Sequence, residues 1–184
     1  MSEISDRYRR IAAAFTERVH AVPAGAWDYP APCEGWVARD VVGHMVEWMP
    51  HLLKDAAGIE LPAGPSVAED PVGAWDTMNA GLQAVLDDPD VDRHNFVNEH
   101  IGTMPVSQAV NMIMVNDVFL HTWDLARATG LDETLDPDEA AAMFAGMEPM
   151  DEMLRNSGQY GPRVAVPDDA DAQTKLMAFI GRQV

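Results

Sequence analysis

The chain predicts an all-α fold, a bundle of four long helices with shorter helical segments at its C-terminal end. Three observations carry this. Apolar residues recur at the three-to-four spacing of a helix face over several long stretches. The connections between those stretches are rich in Pro and Gly. No stretch alternates apolar and polar residues with the period of a half-buried strand. With 184 residues, 47% of them hydrophobic and 23% charged, the chain suits a single globular domain over residues 1–184 with a sizeable core.

The elements follow in order. Residues 3–22 read as a first amphipathic helix, with Ile4, Tyr8, Ile11, Phe15 and Val19 on one face, ended by Pro23 and Gly25. A Pro-containing connection spans Trp27 to Trp36. A second helix runs from near Val37 to about Ala57 with the stripe Val37, Val41, His44, Trp48 and Leu52; Pro50 inside it predicts a kink or a break. Residues 58–71 are loop. A third helix, about 72–87, carries Trp75, Met78, Leu82 and Val85 and is stopped by Asp87-Asp88-Pro89-Asp90. Residues 91–104 have no clean period and are expected to be extended or irregular. A fourth long helix starts near Pro105, a residue suited to a first turn, and ends at Gly130, a residue suited to the position after a last turn. A fifth helix fits 137–154, and a last helical turn or two fits 171–181.

Charge excludes whole classes of function. The formal net charge is −18, which argues against a nucleic-acid surface, since that needs a basic footprint, and against anionic membranes. No run of about 18 apolar residues is present, so no membrane span is expected. The segment Met1-Ser2-Glu3-Ile4-Ser5-Asp6 lacks the basic-then-apolar pattern of a secretory signal, which makes the cytoplasm the expected location. The single cysteine, Cys33, excludes an internal disulfide framework and a Cys-rich zinc site. The twelve methionines are scattered, without a close cluster around any histidine, and suggest an adaptable core rather than a copper site.

His44, Asp117 and His121 stand out on stripes that are otherwise apolar. The fourth helix reads Val106, Val110, Ile113, Asp117, His121, Asp124 and Ala128 along one face. Asp117 and His121, four residues apart, stack on that face, and His44 occupies a core-facing position of the second helix. A polar group on a buried stripe needs a partner. The simplest reading gives each its own hydrogen-bond partner. A single divalent metal would satisfy all three. Two imidazoles and a carboxylate match catalytic zinc with an open fourth position and the facial triad of non-haem iron, and imidazole also suits nickel. His51, His94 and His100 read as surface or loop histidines, with His100 the one able to approach from the 91–104 segment.

Two stretches carry a family resemblance: Pro32-Cys33-Glu34-Gly35-Trp36 followed by Arg39-Asp40-Val41-Val42-Gly43-His44, and Asp117-Val118-Phe119-Leu120-His121-Thr122-Trp123-Asp124-Leu125-Ala126-Arg127-Ala128-Thr129-Gly130. Together they resemble the metal-binding domain of mycothiol-dependent maleylpyruvate isomerases, within the DinB-like superfamily of four-helix metal-binding proteins. The end of the chain, Val164 to Ala170 with Phe179-Ile180-Gly181-Arg182, is similar to that of an actinobacterial subfamily. The resemblance implies a DinB-like bundle, a metal (zinc most often, nickel in some relatives) held by His44, Asp117 and His121, mycothiol as a co-substrate, and a homodimer. Asp117 replaces the family's Glu and is one methylene shorter, so it ligates only if the helices sit closer or the metal shifts. Two departures stand against maleylpyruvate isomerisation itself. Only about 30 residues follow Arg155, fewer than the isomerase's C-terminal domain, and no arginine cluster beyond Arg127 and Arg163 offers itself to a dicarboxylate.

Other residues with possible chemistry keep two readings each. Cys33, just before the second helix, is either a thiol of lowered pKa or a small buried hydrophobe. Trp36 and Trp123 pack the bundle ends near the trio or line a cleft, and Trp36 and Arg127 are the candidates for contact with a cofactor. Asp124 is either an acceptor for an imidazole N–H behind the metal or an ion-pair partner of Arg127. The function expected is a metal- and thiol-dependent transferase or isomerase acting on an electrophilic substrate. The alternatives are a metal-dependent hydrolase and a binding or sensing module without turnover.

Overall fold

The computed structural model describes residues 2–184. Four helical rods form the bundle. These are α1 (Glu3–Ala21), α2 (Ala38–Ala57), α3 (Pro71–Asp87) and a composite rod of α4 (Val106–Ala109), a π-helical segment (Val110–Val115) and α5 (Asn116–Thr129). Helix α1 packs beside α3 and α5, and α2 also packs beside α3 and α5, so α1 and α2 lie on a diagonal. The fold is all-α apart from one small hairpin, consistent with a DinB-like bundle. No helix among the described residues is long and apolar enough to cross a membrane.

Local chemistry sets the helix ends. The Ser2 side chain accepts from the Ser5 amide at 3.1 Å to open α1. Asp70 accepts from the Gly73 amide at 2.9 Å, with Pro71 in the first turn of α3, where its missing N–H costs nothing. Gly58 (φ 67°) closes α2 and Gly130 (φ 70°) closes α5, both in the left-handed conformation that favours glycine.

The core explains why the rods hold. Tyr8, Phe15, Met45, Met49, Trp75, Leu82, Met114 and Trp123 are all fully buried or nearly so. Phe15 and Trp75 meet edge to face at 4.5 Å between centroids. Two of these side chains have their polar ends satisfied: Tyr8 donates to Asn79 at 2.7 Å and the Trp75 indole donates to Thr16 at 2.8 Å. A second layer, α6 (Pro137–Met147), α7 (Asp151–Asn156) and α8 (Ala172–Phe179), follows the bundle, with α6 packed on α8. Arg7 ties it to α1 by donating to Glu139 at 2.9 Å.

Four local features differ from the sequence expectation. Pro50 does not end α2, because Met49 and Leu53 on either side of it are fully buried and tertiary packing carries the helix across the missing hydrogen bond. Residues 91–104 hold a 3₁₀ turn (Val91–Arg93) and an antiparallel hairpin of β1 (Asn95–Asn98) with β2 (Gly102–Pro105). The hairpin was not visible as a period-two pattern because only Phe96 of its first strand is buried. The expected 137–154 helix is split after Met147 by a 3₁₀ turn containing Pro149, which cannot donate the next helical hydrogen bond. The fourth rod contains the π segment, whose extra residue rotates everything beyond it by roughly 100°. Arg7 braces this segment, donating to the Asn111 carbonyl (3.2 Å), the Asn111 side chain (2.6 Å) and the Asn116 side chain (2.9 Å).

Candidate metal centre

His44 comes from α2 and Asp117 and His121 from successive turns of α5, and those two helices are neighbours. Their side chains converge. The His44 Nε2 lies 3.1 Å from Asp117 Oδ2, and the His121 Nε2 lies 3.5 Å from Asp117 Oδ1. The ligand atoms of all three lie within 4.8 Å of one another. Tetrahedral zinc bound at about 2.0–2.1 Å separates its ligands by roughly 3.3 Å, so this spacing suits such an ion with small adjustments. The shorter reach of Asp117 is no obstacle, since its two oxygens already stand beside both imidazoles.

The site has a sheltered back and an open front. His121 has only 8% of its side chain exposed, against 30% for His44 and 24% for Asp117. Trp36 roofs the imidazoles, 5.1 Å from the His44 ring and 5.8 Å from the nearly parallel His121 ring. It is delivered by a tight turn in which the Trp36 amide donates to the Cys33 carbonyl at 3.1 Å, with Gly35 at φ 78°. The same turn places Cys33 behind the site.

Behind His121 stands Asp124, fully buried, with its Oδ2 2.9 Å from His121 Nδ1. The contact is close, but the oxygen stands off the direction of the ring N–H, so Nδ1 has attraction without a well-aligned hydrogen bond. Arg182 donates to both Asp124 oxygens, Nε to Oδ1 at 2.7 Å and Nη2 to Oδ2 at 2.8 Å. The Cys33 thiol lies 3.4 Å from Asp124 Oδ2 and 3.1 Å from Arg182 Nη2. Of the two readings for Asp124, the structure gives the place behind the imidazole, and the ion-pair partner is Arg182 rather than Arg127.

Electrostatics follow from this packing. Burial alone would lower the His121 pKa, but the Asp117 and Asp124 carboxylates outweigh it and push it up to about 10. Burial would raise the Asp124 carboxyl, yet the His121 imidazolium beside it and the hydrogen bonds and charge of Arg182 bring it down to about 2. The Tyr160 phenol is pushed up, by burial first and by the Asp117 charge second.

The remaining candidates fall elsewhere. Arg127 donates to Glu133 at 2.9 Å and lies over the Trp123 ring at 4.5 Å, so its guanidinium is engaged on the surface. Trp123 is core rather than cleft lining. His51 bonds the Glu47 carbonyl one turn back, and His100 pairs with Glu99 in the exposed hairpin turn. Arg182 was not legible as a site residue, because 58 positions separate it from Asp124 and no spacing rule joins them. The similarity of its Phe179-Ile180-Gly181-Arg182 segment to relatives was the one available signal.

The family model for the mycothiol maleylpyruvate isomerase N-terminal domain matches residues 8–126, which include the whole trio. The chain belongs to this family. It is also similar to two uncharacterised proteins of Mycobacterium tuberculosis, MT0763 of strain CDC 1551 and Rv0738 of strain H37Rv. Each is 28% identical over 180 residues, covering 96% of this chain and 96% of the relative. No solved structure matches the chain. The family model stops two residues past Asp124, so the C-terminal residues that pack behind the site lie outside it.

Proposed function

We propose that this protein holds one divalent metal ion, zinc before nickel, through His44 Nε2, an Asp117 carboxylate oxygen and His121 Nε2, and uses it to act on a small thiol, with mycothiol as the co-substrate. The observation that carries the reading is the convergence of the three side chains in a family named for a mycothiol enzyme. A divalent metal supplies Lewis acidity there, lowering the pKa of a thiol and favouring its nucleophilic thiolate form.

The chain's own residues do the rest. Asp124 restrains the His121 ring from behind, leaving Nε2 to face Asp117. Trp36 covers one face of both imidazoles and limits access by water. The partly exposed His44 and Asp117 leave the front side accessible to small molecules. The reaction class is S-transfer or thiol-assisted isomerisation. In S-transfer the thiolate sulfur bonds to an electrophilic carbon and the leaving group departs with its electron pair. In isomerisation the sulfur adds to a conjugated carbon, rotation follows, and the thiol is expelled unchanged.

The test is thiol consumption, and for isomerisation product geometry, with zinc-loaded protein, mycothiol and a panel of electrophiles and conjugated cis-dicarboxylates. Turnover should disappear on chelation and in His121→Ala. Rates equal to buffer alone for every substrate would overturn the enzymatic reading.

A further inference from the structure

The C-terminal segment reaches the back of the metal centre through one side chain. We propose that Arg182 is a positioning residue of that centre, fixing His121 through Asp124, so that the segment carrying Arg182 is a working part of the site. This rests on the metal reading above.

The contact geometry is specific. Arg182 grips Asp124 as a fork, one nitrogen on each carboxylate oxygen, at 2.7 and 2.8 Å. A two-point grip fixes the plane of the carboxylate, which a single ammonium contact cannot do. The gripped Oδ2 is also the oxygen beside His121 Nδ1 at 2.9 Å and the Cys33 thiol at 3.4 Å. Orientation therefore passes from guanidinium to carboxylate to imidazole, and the far nitrogen of that imidazole faces Asp117 and His44. A buried ion pair contributes little net stability over an apolar pair of similar volume, so stability alone gives no reason for charge at this place. The 2.9 Å contact of Asp124 Oδ2 with His121 Nδ1 does give one, since a carboxylate held beside the far ring nitrogen is the group that orients a metal-binding histidine.

The chain is built to deliver this arginine. Helix α8 ends in a reversal: the Gly181 amide donates to the Ala178 carbonyl at 3.1 Å and the Arg182 amide to the Met177 carbonyl at 2.9 Å. Gly181 adopts φ 95°, and a methyl group there would lie 2.8 Å from the Gly161 Cα, so both the conformation and the space require glycine. Arg155 clamps the same junction, donating to the Gly161 and Phe179 carbonyls while its Nε bonds Asp151 at 2.9 Å. Two glycines in contact and an arginine clamp thus set where Arg182 points.

The test is cobalt(II) titration of metal-free protein, followed by visible absorption, for wild type, Arg182→Gln, Arg182→Lys, Asp124→Asn and the Asp124→Asn/Arg182→Gln double variant. Wild type should bind cobalt. Arg182→Gln should weaken binding roughly 10-fold or more and shift the absorption bands, the scale expected when the group behind a ligand is removed. Arg182→Lys, which keeps the charge and loses the fork, should recover only part of the affinity. In the Asp124→Asn background Arg182→Gln should add no further loss. If Arg182→Gln cannot be folded, a twofold or smaller loss in Arg182→Lys overturns the proposal. So do wild-type affinity and spectrum in Arg182→Gln, or an equal loss in both backgrounds. A wild type that binds no cobalt sinks the metal reading and this proposal together, whereas cobalt binding indifferent to Arg182 sinks only the latter.

Discussion

Asp117 and Asp124 sit seven residues apart on α5 and flank the same imidazole, yet their surroundings are opposite. Asp124 is fully buried and neutralised by the fork of Arg182. Asp117 is partly exposed, and among the described residues no lysine or arginine pairs with it; its ion-pair partners are His44 and His121. One carboxylate has its cation built into the chain. The other stands among two imidazoles, a group of side chains that could hold a cation. Two carboxylates on one helix thus differ in what lies behind each of them, and that difference, not residue type, is what marks Asp117 as the candidate ligand.

The largest effect that sharpens this comparison is on metal content. His121→Ala removes the ligand that both carboxylates serve and should reduce bound zinc from about one per chain to background. Elemental analysis of dialysed protein reads this directly. Next comes the asymmetry of stability. Asp124→Asn leaves Arg182 without its buried counter-charge and should cost about 3 kcal/mol in urea unfolding of metal-free protein. Asp117→Asn should cost metal-free stability less than Asp124→Asn does, because His121 can shed its proton when Asp117 is neutralised whereas Arg182 cannot, and it should still weaken metal binding. Equal destabilisation by the two substitutions would erase the distinction between front and back.

pH offers a third, smaller effect. The metal-free His121 pKa is raised from 6.5 to about 10, so its stabilising contribution is complete below pH 6.5 and is lost as pH rises through 10. The Asp124 carboxyl, lowered from 3.8 to about 2, contributes above pH 3.8 and loses that contribution as pH falls through 2. Thermal unfolding of metal-free protein should therefore show its melting temperature falling between pH 7 and 10. Because a metal ligand must be deprotonated, zinc uptake at pH 7 should release about one proton from His121. Calorimetry in buffers of different ionisation enthalpy measures that number, and zero proton release would place the charged imidazole elsewhere. The smallest effect belongs to Arg127→Ala, which should leave metal affinity unchanged because Arg127 is engaged with Glu133 and Trp123.

Much of this arrangement could be read from residue order, and the reason is local regularity. Asp117 and His121 both lie beyond the π segment, inside the regular α5, so the four-residue spacing held its meaning there. His44 was legible because it interrupts an apolar stripe. The π segment itself was not legible: a single extra residue in a helix has no compositional sign, and its brace, Arg7, comes from another helix. The hairpin at 95–105 escaped notice because four-residue strands with one buried side chain carry almost no period. Arg182 shows the general limit. Its role depends on how α8 ends and on a glycine–glycine contact, which are properties of packing rather than of spacing.

The metal proposal stands on His44, Asp117 and His121 sharing one ion. Elemental analysis of protein purified without a histidine tag, beside His44→Ala prepared identically, tests it most directly. Close to one equivalent of zinc or nickel is expected in the wild type, and a loss of nearly all of it in His44→Ala. Wild-type protein without stoichiometric metal, or a His44→Ala variant with unchanged metal content, would contradict it.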